Sequence, residues 1–164
     1  RLEHVHIAEL IASVAGSMGD RATQRGVELT LGDVPDYTLL ADRLQIEVVL
    51  RNLLSNAFDA LAEQAAGKRR IWLTVRQEGG GGLGVGIENA GPGIPSANAE
   101  RLFEAFHTSK ESGLGLGLVI SRAIVEAHGG HLWAEAADHG FFRLILPMEG
   151  KLEHANQGIH GLHR

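Results

Sequence analysis

Two asparagines, Asn52 and Asn56, stand one helical turn apart in "RNLLSNAFDAL" (residues 51–61), inside an otherwise strongly apolar helical pattern. Asparagine competes for local backbone hydrogen bonds and is a mediocre helix former, so the pair asks for a reason beyond folding. Two asparagines alone are equally compatible with a solvated face. The alternative is chemical: an uncharged amide oxygen on the polar face of a rigid helix suits a hard divalent cation such as Mg²⁺. Such an ion keeps several waters and completes its shell from phosphate oxygens. A second stretch, "SGLGLGLVIS", places Gly113, Gly115 and Gly117 directly before a helical run. It reads as a phosphate-binding turn, in which backbone N–H groups and a helix N-terminus meet anionic oxygens. It is not a dinucleotide fingerprint, because G-x-G-x-x-G is not met and the preceding "HTSKES" is no strand. The lysine-serine ending of a P-loop is also missing. A third, "GPGIP" (91–95), follows a strand ending at Glu88-Asn89. It is either a plain turn or a place where glycines let the backbone approach a flat ligand while Asn89 presents a side-chain oxygen. Lys110, in "HTSK", is either a mobile cation for phosphate charge or a solvated surface lysine.

These residues need a scaffold, and the hydrophobic pattern supplies one. Ile7, Leu10, Ile11, Val14 and Met18 fall at helical spacing and predict an amphipathic helix ending near Gly26; "VELTLGD" is extended. Ile46, Val49, Leu50, Leu53, Leu54, Ala57, Phe58 and Leu61 mark the strongest helix, with Asp42 as its N-cap. At about 100° per residue, Asn52, Asn56, Asp59 and Glu63 form a stripe roughly opposite that apolar face. "RIWLTVRQ" and "LGVGIEN" read as a hairpin joined through Gly79 to Gly82. Residues 90–113 hold too many breakers for one helix and read as a long lid, with a short helix in "ANAERLFEAF" and with Phe103 and Phe106 anchoring it. "LGLVISRAIVEAHGG" is a helix closed by Gly129 or Gly130, followed by the strands "HLWAEAA" and "FFRLILP". The expectation is one domain over residues 1–148 and a flexible polar tail over 149–164.

Composition sets the outer limits. The 164 residues, 44% of them hydrophobic, suffice for one domain with a substantial core. A net charge of −5 and the absence of a Lys/Arg cluster interleaved with aromatics argue against a nucleic-acid partner. There is no cysteine, which fits a reducing compartment. No apolar run approaches the ~20 residues a membrane helix needs, so a cytoplasmic piece without direct membrane contact is expected. The chain opens at "RLEHVHIAEL" without Met, which suggests a fragment whose parent is compatible with a membrane anchor. The nine histidines form no recognisable ligand set and read as structural or surface residues.

The order of the pieces carries a resemblance. "QIEVVLRNLLSNAFDAL" resembles the N box, "IENAGPGIP" the G1 box, "RLFEAFHTSK" the F box and "GLGLGLVIS" the G2 box of the sensor histidine kinase ATP-binding catalytic domain. Order and spacing agree over roughly residues 36–148, and "HGGHLWAEA" after G2 is also similar. The short lid resembles the nitrogen-regulation and dicarboxylate-sensing branch of this bacterial family. The resemblance implies an α+β fold: a two-layer α/β sandwich with a mixed, mostly antiparallel sheet, helices on one face and a short ATP lid, shared with gyrase, heat-shock chaperone and mismatch-repair ATPases. It further implies ATP and Mg²⁺ as cofactors. Asn56 matches the metal-ligating asparagine, and Asn52 lies beside the phosphates and metal-bound water. Asp59 shares their stripe. Asn89, Gly91, Gly93 and Ile94 match the adenine side. Thr108, Ser109 and Lys110 belong to the lid near the γ-phosphate. Gly113, Leu114, Gly115, Leu116, Gly117 and Leu118 form the phosphate-side turn.

Two departures stand out. The family usually begins the G1 box with Asp, whose carboxylate accepts from the adenine amino group, and this chain has Asn89 there; its amide oxygen still accepts, without charge assistance. The family's phosphoacceptor histidine precedes an acidic residue on a helical hairpin, whereas His4 precedes Val5 and His6 precedes Ile7. The implied function is the catalytic portion of a two-component kinase. It transfers the γ-phosphoryl group to a histidine on a dimerisation domain absent from this chain, from which a response regulator takes it. The alternatives on the same fold are an anti-sigma-type kinase or a non-catalytic ATP sensor. Anti-sigma relatives usually carry a basic residue in the G2 turn, where this chain has Leu114 and Leu116.

Overall fold

A computed structural model describes residues 1–93, 99–104, 116–135 and 137–148. The three long helices and the strands expected from the sequence are present, together with two short strands that were not expected. A short strand, β1 (Glu3–His6), leads directly into α1 (Ile7–Gln24), which buries Ile7, Leu10, Ile11, Val14, Met18 and Ala22 along one face. Gly26, with φ +64°, turns the chain into β2 (Glu28–Leu31). β3 (Thr38–Ala41) pairs antiparallel with β1, a small two-stranded sheet that the sequence pattern did not announce. α2 (Arg43–Ala60) follows, and Asp42 caps it by accepting the Gln45 N–H at 3.1 Å.

The hairpin β4 (Arg70–Glu78) and β5 (Gly82–Asn89) turns through Gly80 and Gly81, whose φ values of +82° and +91° favour glycine. A 3-10 turn at Arg101–Phe103 is the described part of the expected lid helix. α3 (Gly117–Ala127) ends in a Schellman motif. The Gly129 N–H donates to Glu126 O and the Gly130 N–H to Val125 O, both at 2.9 Å, with Gly129 at φ +81°. β6 (His131–Glu135) and β7 (Gly140–Pro147) follow and pair antiparallel.

The main sheet has the order β2-β4-β5-β7-β6, with β2–β4 its single parallel pairing. Alternate residues of its strands (Ile71, Leu73 and Val75; Leu83, Val85 and Ile87; Phe142, Leu144 and Leu146) are buried with the apolar faces of the three helices in one core. The expected two-layer sandwich is therefore the observed one. Asn89, the last residue of β5, lies between Ile71 of β4 and Gly140 of β7. The expected tail, 149–164, lies outside the described residues.

Candidate functional site

The site grows from α2. Its buried positions fix the helix's rotation, which leaves Asn52, Asn56 and Asp59 on the half-exposed side. Asn52 donates through Nδ2 to Gly117 O at 3.2 Å and to Ser121 Oγ at 3.1 Å, so it ties α2 to the first turn of α3. Asn56 donates Nδ2 to the carbonyl of Asn52 at 2.9 Å, which directs its own Oδ1 off the helix backbone. Both asparagines thus lie along one half-exposed stripe with their amide nitrogens engaged.

α3 meets this stripe with its N-terminus. Leu116 and Gly117 begin the helix without a side-chain cap and without an acidic residue in the first turn. The N-terminal N–H groups of a helix have no intrahelical acceptor, and the helix dipole places partial positive charge there. An anionic oxygen is the complementary occupant. Gly117 owes nothing to crowding by Asn52, since an added Cβ would stand 3.7 Å from Asn52 Cγ, an ordinary contact. Leu118, the next residue, packs against the core.

At the other end of the site Asn89 is 2% exposed and accepts the Gly91 N–H through Oδ1 at 2.9 Å, an Asx turn that fixes its amide plane. The glycines after it are required by the protein itself. A Cβ on Gly91 would lie 2.9 Å from Ala60 O, and one on Gly93 would overlap the carbonyl oxygen of Ala137. The sequence reading gave these glycines to a flat ligand; the close approach the structure shows is between two stretches of backbone.

Asp59 shares the helix face, yet its carboxylate is drawn toward α1. Arg25 Nη1 lies 3.3 Å and Arg21 Nη2 4.0 Å from its Oδ1. The structure thus brings together Asn52, Asn56, Leu116, Gly117 and Leu118, places Asn89, Gly91 and Gly93 at the end of β5, and turns Asp59 aside. Ile94, Thr108, Ser109, Lys110, Gly113, Leu114 and Gly115 lie outside the described residues, as does Phe106. Phe103 is buried and packs edge-on against Phe142 at 6.2 Å, with the Arg122 guanidinium 4.0 Å over its ring. Arg122 also forms a bidentate pair with Glu100 at 3.0 and 3.1 Å, which holds that carboxyl below the usual glutamate range.

Two contributors escaped the sequence reading. Ser121, wholly buried, receives Asn52; the only signal was a small polar residue in an apolar helix. His128 accepts the Asp42 N–H at Nε2, 3.0 Å, while Nδ1 donates to Ile124 O at 2.8 Å. That pair of partners requires the neutral ring with its proton on Nδ1. Among the described residues no group of three or more His, Asp or Glu side chains gathers as a metal site.

Residues 41–150, the span from the start of α2 past β7, match the family model described as histidine kinase-, DNA gyrase B-, and HSP90-like ATPase. The chain belongs to this ATPase family. Within it the similarity is to sensor kinases. The sensor protein FixL of Bradyrhizobium diazoefficiens is 39% identical over 81% of this chain and 27% of its own length. The C4-dicarboxylate transport sensor protein DctB of Rhizobium meliloti is 41% identical over 62% of this chain and 16% of its own. Among solved structures, the catalytic domain of histidine kinase ThkA superposes with a TM-score of 0.78 at 31% identity, covering 90% of this chain and 95% of that one. A structure of ThkA in complex with the response regulator protein TrrA gives 0.75 at 30% identity, over 89% of this chain and 41% of that one. The chain is a histidine kinase-type ATPase catalytic domain and spans a quarter or so, or less, of the curated relatives named here. The anti-sigma alternative is not favoured by these relatives. Among the described residues no helix is long and apolar enough to cross a membrane.

Proposed function

We propose that this domain binds ATP with Mg²⁺ and transfers the γ-phosphoryl group to a histidine on a separate dimerisation domain of its parent, for relay to a response regulator. The observation that carries the proposal is the uncapped N-terminus of α3, tied by Asn52 to the half-exposed stripe that holds Asn52 and Asn56. Anion-binding N–H groups and neutral hard-metal ligands side by side are what a metal-bound polyphosphate needs. Asn56 would hold the metal through Oδ1, and Asn52 would lie beside the phosphates and a metal-bound water. Mg²⁺, when bound, neutralises phosphate charge and leaves the terminal phosphoryl group open to attack. The protein's part is positioning and electrostatic stabilisation, the main requirements of phosphoryl transfer.

Asn89 accepts from the adenine amino group through the second lone pair of Oδ1, the first being used by Gly91. Ile94 lines the nucleotide, and Asp59, its carboxylate held by Arg25, borders the site without reaching the ligand. Thr108, Ser109 and Lys110 are assigned to the γ-phosphate by the F box, and Gly113, Leu114 and Gly115 to the phosphates by the G2 box. These assignments rest on the four family boxes. The relatives' place in two-component signalling and an ATP-dependent reaction support a cytoplasmic location. The deciding experiment mixes the chain with a separately made acceptor hairpin from a close homologue and γ-labelled ATP·Mg²⁺. Labelled phosphohistidine that disappears with Asn56→Ala supports the proposal. A wild-type chain that binds ATP but never yields phosphohistidine identifies a nucleotide sensor instead.

A further inference from the structure

α1 packs beside α2 and its last turns carry two arginines toward the polar stripe. Arg25 donates to Asp59 Oδ1 at 3.3 Å and so takes the one carboxylate there. Arg21 is left with weaker company. It stands 4.0 Å from Asp59 Oδ1, and its hydrogen bond, at 3.3 Å, goes to the neutral hydroxyl of Ser55. Its guanidinium also lies 5.1 Å over the ring of Phe58, a buried residue. That contact sets where the charge can reach, because Phe58 cannot move without opening the core. Arg21 therefore lies across the top of α2, bonded to the residue immediately before Asn56, with a side chain one-third exposed.

The stripe itself has no positive charge. Asn52, Ser55 and Asn56 are neutral and Asp59 and Glu63 are negative, while the Arg21 and Arg25 guanidinium groups both face Asp59. Counted over these three described side chains, Arg21, Arg25 and Asp59 have one positive charge in excess, and Arg21 is bonded to the residue immediately before Asn56. A nucleotide polyphosphate remains anionic after binding one Mg²⁺, so the surplus is complementary to it. A guanidinium held by a hydroxyl and a distant, shared carboxylate loses little on moving to a phosphate oxygen, where the hydrogen bond becomes charge-assisted.

We propose that Arg21, delivered from α1, is a phosphate ligand of the nucleotide site on α2. The assignment rests on the nucleotide-binding reading above. It adds an element to the site, since none of the four sequence boxes includes α1.

The test is calorimetric titration of wild type, Arg21→Gln and Arg21→Lys with ATP, ADP and adenosine in Mg²⁺. Arg21→Gln removes the charge together with the guanidinium's contacts to Phe58 and Ser55, and the adenosine titration reports whether losing those contacts alone disturbs the site. ATP affinity should fall about fivefold in Arg21→Gln, and adenosine affinity should not change. Arg21→Lys should recover part of the loss, and raising the salt should shrink the difference between wild type and Arg21→Gln. Unchanged ATP affinity, or equal losses for ATP and adenosine, would mean that Arg21 only braces α1 against α2 and would overturn the proposal. A wild type that binds none of the three would overturn the nucleotide reading itself, a result separable from the other because it needs no mutant.

Discussion

Asn52 and Asn56 look equivalent in the sequence, but the structure gives them different work, and alanine substitution without nucleotide separates the two. Asn52→Ala removes the donor that bridges α2 to Gly117 O and Ser121 Oγ. A net hydrogen bond contributes roughly 0.5–1.5 kcal/mol, and the buried Ser121 hydroxyl is left to find another partner, so the loss is about 2 kcal/mol. Alanine's better helix propensity returns about 0.5 kcal/mol. The balance, about 1.5 kcal/mol, lowers the melting temperature by roughly 3–6 °C for a domain of this size. Asn56→Ala deletes one bond to a carbonyl of its own helix, which the backbone ladder already uses, and gains the same propensity. Its melting temperature should stay within about 1 °C of wild type or rise slightly. The assay is thermal unfolding followed by far-UV circular dichroism in EDTA, where no metal or nucleotide contributes. Equal shifts for the two variants, or a larger one for Asn56→Ala, would refute the assignment of Asn52 as the clamp between the helices.

The remaining expectations concern ligand, pH and packing. Asn56→Ala should weaken ATP binding far more in Mg²⁺ than in EDTA, and equal losses in calorimetry would remove it from the metal. Asn89→Asp should strengthen ATP binding several-fold, by about 1 kcal/mol, through a charge-assisted bond to the adenine amino group, with no gain for GTP; a matching GTP gain would show that Asn89 does not read the base. Glu100 has its pKa lowered by Arg122, so its stabilising contact is complete above the unfolded value of 4.5 and is lost as pH falls through the lower folded value. Proton-deuterium exchange or NMR shifts of Phe103 should report that loosening on acidification, and Glu100→Gln should abolish the transition. Gly93→Ala, whose methyl overlaps Ala137 O, should cost about 1–3 kcal/mol in urea unfolding, whereas Gly117→Ala should leave the nucleotide-free fold intact.

What the sequence made legible followed from local physics. α2 and α3 announce themselves by apolar spacing and by Asp42 and Gly129 at their ends, and the β4–β5 hairpin by a glycine run that permits positive φ. What it concealed is non-local. β1 is four residues long with Val5 alone facing inward, and its partner strand β3 lies more than thirty residues away, so no period is there to see. Asp59 was placed with the ligand-facing asparagines because the helical wheel puts it there. The wheel is silent about Arg21 and Arg25, which approach from another helix and take the carboxylate. The glycines of "GPGIP" were read toward a ligand, because the neighbouring backbone at Ala60 and Ala137 that demands them is brought in only by tertiary folding.

The same distinction explains how α3 comes to be aimed. A helix N-terminus attracts anions wherever it points; it makes a site only if its position is held. α2 and α3 run in opposite directions, and each end of their contact is pinned by a hydrogen bond that a slide along the axis would break. At one end Asn52 holds Gly117 and Ser121. At the other, His128, just past the last residue of α3, accepts the N–H of Asp42, the N-cap of α2. From Asp42 to Asn52 is ten residues and from Gly117 to His128 eleven, rises of about 15 and 16 Å, so the two pins are matched in span. A slip of one turn, about 5.4 Å, would unpair both. The histidine that sequence reading set aside as structural is therefore structural in a way that matters to chemistry: its neutral ring fixes the far end of the register that brings the uncapped turn at Gly117 against the asparagine stripe.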